Sequence, residues 1–227
     1  MNYCAVMILL LAVLPGCGRV INWGKGMFNQ GETPQSYADE PKKYIRSVIV
    51  YDQFATAGSF DALWLSDAVR TAYVNTFADR TGKTDEQKNM LLRRELEENN
   101  HFFTFYVLSL FDMPLGDCCS EWTVLLKIKD AIYHPEEVKY IELNPEYKTF
   151  LKSVTSRFKN VYQVKFDVKN VNGKPLIKPD VDEIMLYFKS IKKDTALVWK
   201  IAIEDGSFIV RAEPKPFIIR NQRPKDE

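Results

Sequence analysis

From Trp122 to Ile201 the apolar residues of this chain recur, stretch after stretch, at every second position. Trp122, Val124, Leu126 and Ile128 alternate with Thr123, Lys127 and Lys129, and Tyr162, Val164, Phe166 and Val168 alternate with Gln163, Lys165 and Asp167. Successive side chains of a strand point to opposite faces, so a period of two buries one face and wets the other. Ile184-Leu186-Phe188 and Leu197-Trp199-Ile201 repeat the pattern, and Val138 to Leu143 adds a further strand. Short turns such as Asn172-Gly173 and Lys192-Lys193-Asp194 suit antiparallel neighbours. A doubly wound parallel sheet would need a helix in nearly every crossover, and this half offers one. That helix has Asn144 as N-cap and Pro145 at its first position, with Tyr147, Phe150, Leu151, Val154 and Phe158 on a single face.

The first half supplies the rest of the architecture. Ile45 to Tyr51 has the β-branched richness of a strand, and Phe102 to Phe111 is crowded with aromatic and β-branched residues. Between them lie two helices. Val69, Ala72, Tyr73, Thr76 and Phe77 share a face behind the N-cap Ser66, and Gly82 closes the element where left-handed φ is cheapest. Thr84-Asp85-Glu86-Gln87 is a capping box, and the helix behind it turns Leu91, Leu92 and Leu96 inward. The expected fold class is α+β, mainly β: an antiparallel β-sandwich or partly open barrel of about seven short strands, with an inserted helical hairpin and one further helix. A single β-rich domain over residues 44–212 carries the helical insertion at about 59–99.

Residues Ala5 to Leu14 are consecutively apolar, and no charged side chain precedes Arg19. As a helix that run reaches about 15 Å against ~30 Å of bilayer hydrocarbon, so it suits the apolar region of a signal peptide and not a span. It ends in Leu14-Pro15-Gly16-Cys17. Leu14, Gly16 and Cys17 resemble the lipobox of bacterial lipoproteins, in which the peptide is removed before the cysteine and that cysteine becomes the lipid-modified first residue. The resemblance implies a signal peptide over residues 1–16, lipidation of Cys17, and a place in the bacterial cell envelope. Gly18 after the cysteine favours, by the same resemblance, the outer membrane at its periplasmic or surface face. Several acyl chains at ~0.8 kcal/mol per buried CH₂ would hold the protein without a span. Residues 17–43, interrupted by Gly24, Gly26, Gly31 and Pro34, read as a lipid-anchored tether. Residues 213–227, with Pro214, Pro216 and Pro224 among charges, read as a flexible tail.

Thirty-one basic against thirty acidic residues leave a net charge of +1, which excludes the basic footprint of a nucleic-acid binder. Two histidines, His101 and His134, exclude a multi-histidine metal centre, so no metal and no cofactor is expected. Gly82-Lys83-Thr84 shares the end of a phosphate-binding loop but lacks its first glycine, position 77 being Phe77. Ser156-Arg157-Phe158-Lys159 and Ser190-Ile191-Lys192-Lys193 satisfy S-x-x-K without the companion motifs of serine acyl-transferases. No catalytic residue is assigned. The densest polar cluster is Glu97-Glu98-Asn99-Asn100-His101, read chiefly as a wet helix end, and Asp52, Asp61 and Asp67 flank the insertion as candidate paired carboxylates. Cys118-Cys119 is a candidate disulfide or redox pair. Adjacent cysteines can close a strained ring, stay reduced in an apolar pocket or cross-link two chains, and the reduced, buried state is the first expectation. The functional expectation is a membrane-anchored binding or scaffolding module with a protein or other envelope partner. The alternative is a small carboxylate-dependent hydrolase or transferase.

Overall fold

A computed structural model describes residues 40–210 apart from 54, 117–118, 171, 179 and 205–206. The segments expected as signal peptide and tail and most of the expected tether, together with Cys17 and Cys118, lie outside the described residues. Ten strands form two antiparallel five-stranded sheets among the described residues. The first sheet has the order β1 (Ile45–Asp52), β2 (Ala55–Trp64), β3 (Phe102–Leu110), β7 (Lys159–Asp167) and β6 (Glu137–Tyr140). The second runs β10 (Ser207–Val210), β9 (Asp194–Glu204), β8 (Glu183–Lys189), β4 (Thr123–Ile128) and β5 (Ala131–Tyr133). The chain is thus mainly β with an α component, a two-sheet sandwich without barrel closure. β1 and β9 approach at one edge, where Arg46 Nε donates to the Val198 carbonyl at 2.9 Å.

The inner faces interlock through aromatic rings. Phe60 stacks on Phe188 with centroids 4.1 Å apart, and Phe105 meets Trp199 at 5.3 Å. Val164, Phe166, Leu186, Phe188, Leu197 and Trp199, all inward by the period-two pattern, are buried. A 3₁₀ turn over Glu40–Tyr44 plugs one end of the core, its Tyr44 carbonyl accepting from Trp199 Nε1 at 2.8 Å.

Helices cover the outer face of the first sheet. α1 (Asp67–Thr81) starts at N-cap Ser66 and stops at Gly82, whose φ of 62° is left-handed, and α2 (Asp85–Asn99) opens with the capping box of Thr84 and Gln87. Side-chain bonds from Arg70 to Asn99 and from Asn99 to Asp67 join the start of α1 to the end of α2, so the pair is antiparallel. α3 (Pro145–Phe150) packs Tyr147 against Tyr73 of α1, ring centroids 4.6 Å apart.

Several expectations need correction. The helical segment begins at Asp67 and not near residue 59, because Ala55–Trp64 is strand β2. With inner face on the second sheet and outer face under α1, β2 is buried on both sides and shows no alternation. β5 and β10 are likewise additional to the strands read from the sequence. α3 ends at Phe150, well short of Phe158, which is exposed. Thr155 Oγ1 donates to the Leu151 carbonyl and Ser156 Oγ accepts from the Phe158 amide, local bonds that compete with the helix ladder. Asn144 makes no side-chain cap bond; its Nδ2 donates instead to the Tyr73 hydroxyl at 3.3 Å.

Candidate functional site

The start of α1, the end of α2, the first residues of β3 and the segment after β7 converge at one end of the sandwich around a cavity of about 560 Å³. Trp64, Leu96, Phe102, Phe103, Val168, Pro175 and Ile177 give it an apolar and aromatic wall. Asp67, Arg93, Glu97, Asn99 and Asn100 supply polar groups at its margin. Volume and lining both fall in the range of small-ligand sites, mostly apolar with a few placed polar groups.

Behind that margin stands a buried guanidinium. Arg70 is 2% exposed, and its Nε donates to Asn99 Oδ1 at 2.6 Å while Nη1 reaches Glu95 Oε2 at 2.8 Å and Glu98 Oε2 at 3.1 Å. Nη2 points to Thr104 Oγ1 at 3.4 Å. Lys165, outward on β7, binds Glu98 Oε1 at 2.8 Å and lies 5.5 Å from the Phe102 ring centroid. Asn99 passes the network to the cavity by donating from Nδ2 to Asp67 Oδ1 at 2.6 Å. Burial pushes the Glu98 carboxyl up, but the Lys165 hydrogen bond and the Arg70 and Lys165 charges together outweigh it and hold the group below its usual range. Beside the network, burial raises the Tyr106 hydroxyl to about 12 and the Tyr147 hydroxyl well above the ordinary tyrosine value.

The cluster singled out in the sequence does assemble here, with its members in different roles. Glu98 and Asn99 turn inward to Arg70, whereas Glu97 faces Asn100 Nδ2 at 3.3 Å and His101 Nε2 at 3.5 Å on the wet side. The three flanking aspartates do not converge. Asp52 pairs with Lys193 at 3.0 Å, Asp61 pairs with Lys159 beneath the helices, and only Asp67 reaches the cavity. Trp64, Trp122 and Trp199 are core residues. The serines of the two S-x-x-K segments are spent on turns, Ser190 Oγ for instance donating to the Lys193 carbonyl. Cys119 is exposed, so the expectation of burial does not hold for it, and Cys118 lies outside the described residues. Among the described residues no group of three or more His, Cys, Asp or Glu side chains is placed to hold a metal ion.

Sequence reasoning missed Arg70. Its signal was present, since Arg70 stands three and four residues before the buried Tyr73 and Val74 and so shares their helix face. A charge on an apolar stripe announces a buried partner set. Comparison with known proteins found no matching family model, no similar curated protein and no similar solved structure.

Proposed function

We propose that this chain is a lipid-anchored protein of the bacterial cell envelope, mature from Cys17, whose β-rich domain binds or scaffolds another envelope component. The anchor reading rests on the Leu14 to Cys17 resemblance. The binding reading rests on one observation, the 560 Å³ cavity with an aromatic wall and a polar margin. Cys17→Ser should move the protein from the membrane fraction to the soluble one, and undiminished membrane retention would remove the anchor. For the cavity, the neutral probe N-phenyl-1-naphthylamine should be taken up once per domain, with the blue shift of an apolar site. Leu96→Trp, filling the cavity, should abolish uptake, while Met90→Trp on the exposed side of α2 should leave it unchanged. No uptake, or uptake indifferent to Leu96→Trp, would overturn the reading.

Asp67 and Glu97 line the same cavity, and that supports a second reading as a carboxylate-dependent hydrolase or transferase. Hydrolysis of p-nitrophenyl esters above the uncatalysed rate, lost in Glu97→Gln, would favour it over binding alone.

A further inference from the structure

The charges at the cavity margin are unequal. Asp67 and Glu97 oppose the single guanidinium of Arg93, and the C-terminal end of α2 adds the negative end of its dipole. The opposing positive end of α1 is already answered by its own cap, Ser66 Oγ accepting from the Val69 amide, and by Asp67 in its first turn. Neither Arg70 nor Lys165 redresses the balance, because both are committed to carboxylates: Arg70 to Glu95 and Glu98, Lys165 to Glu98 and, at 3.8 Å, Glu137. An apolar wall below a net negative margin selects an apolar body with a positive head. The wall itself is suited to cations, since aromatic rings attract them through the quadrupole, and the protein already sets Lys165 against the outside of this wall at Phe102.

We infer that the cavity is a site for small amphipathic organic cations, amines or quaternary ammonium compounds, with the apolar part among Trp64, Leu96, Phe103 and Ile177 and the cationic head between Asp67 and Glu97. This rests on the binding reading above and adds the ligand class. An anionic amphiphile of the same length would meet two carboxylates with one guanidinium to offset them. A neutral one would gain the wall but not the head.

Displacement of N-phenyl-1-naphthylamine tests the assignment with matched probes, decyltrimethylammonium and decyl sulfate, each well below its micelle concentration and at neutral pH. The ammonium should displace the naphthylamine at concentrations at least about fivefold lower, a preference that shrinks as salt rises. Glu97→Gln, an exposed position whose change leaves the fold alone, should reduce that ratio, and Asp67→Asn with Glu97→Gln should bring it close to one. Equal displacement by the two probes, a preference for the sulfate, or a cation preference untouched by both variants would overturn the cationic site while leaving the cavity a binding site. Failure of the naphthylamine itself to bind would instead remove the binding reading beneath it.

Discussion

The two ends of the sandwich are built on opposite terms. At the helix end the buried guanidinium is fully answered: Arg70 is ringed by Glu95, Glu98, Asn99 and Thr104. At the opposite end, where β1 meets β2, β3 leaves the sheet and β8 turns into β9, large apolar side chains stand in solvent. Phe111 and Phe158 are 74% and 60% exposed, and Ile191 is fully so. The ladders put these residues together. Leu110 pairs with Lys159, the next amide, Phe111, donates to the Phe158 carbonyl at 2.8 Å, and Lys193 ties the β8–β9 turn to Asp52 at the end of β1. Polar groups that are buried and interlocked resist change, because losing one strands the others, whereas exposed apolar groups hold nothing in place. The contrast therefore predicts where substitutions will be felt.

Arg70→Met should give the largest loss, on the order of 3 kcal/mol, because it takes the shared guanidinium from between Glu95 and Glu98 and leaves Lys165 alone to answer Glu98. Chemical denaturation of the purified domain measures it. A cost below about 1 kcal/mol would mean the helix end is as tolerant as the loop end, and the comparison would fail.

Second in size is the response to alkali. Tyr106 keeps its proton in the folded state up to about pH 12, whereas an unfolded tyrosine releases it near 10. Between those values folding binds a proton, so this stabilisation is full below pH 10 and drains away as pH rises, at up to about 1.4 kcal/mol per unit. Tyr106→Phe should flatten the decline between pH 10 and 12. An unchanged slope would place the alkaline sensitivity elsewhere, Tyr147 being the next group to examine.

Lys165→Ala should cost about 1 kcal/mol, more than an ordinary wet-face position, since Lys165 is 19% exposed and holds Glu98. It also reads out the acid side. The depressed Glu98 carboxyl contributes stability that is whole above its unfolded value and fades as pH falls through its lower folded one. Without Lys165 the folded value moves back toward the unfolded one, so the acid-side loss should shrink.

How much of this contrast was legible depended on the distance over which each feature is written. Caps and turns are local, so Ser66, Gly82 and the Thr84–Gln87 box could be read from a few residues. The alternation of β8 and β9 was legible because their sheet has one covered face. β2 was not, because α1 covers its second face and replaces alternation with the unbroken Phe60-Asp61-Ala62-Leu63-Trp64-Leu65. The cavity gathers residues from Trp64 to Ile177, and Arg70 meets partners 25 to 34 positions away, so neither leaves a short motif. Asp61 and Lys159 are 98 apart. Glu97 to His101 stood out as a polar run, yet the run could not say which of its members turn inward.

The smallest effects belong to the loop end, and they complete the comparison. Phe111 and Ile191 have little apolar area to lose on truncation, because most of each side chain is already in water. Phe111→Ser and Ile191→Ser should each change stability by under about 0.5 kcal/mol, the range of ordinary surface positions. Phe158→Ser should cost slightly more, since the Arg157 guanidinium lies 4.7 Å from its ring centroid, a contact worth about 0.5–1 kcal/mol at an exposed site. Exposed Cys119 belongs to the same region and should be alkylated in the folded protein without denaturant. A chain that leaves two phenylalanines and an isoleucine uncovered at one end gathers its largest interlocked set, the Arg70 network, at the other, with the Asp61–Lys159 pair as a buried ion pair on the bare side. If Phe111→Ser instead cost as much as Arg70→Met, Phe111 would have to be packed, and the division between a built end and a bare one would not survive.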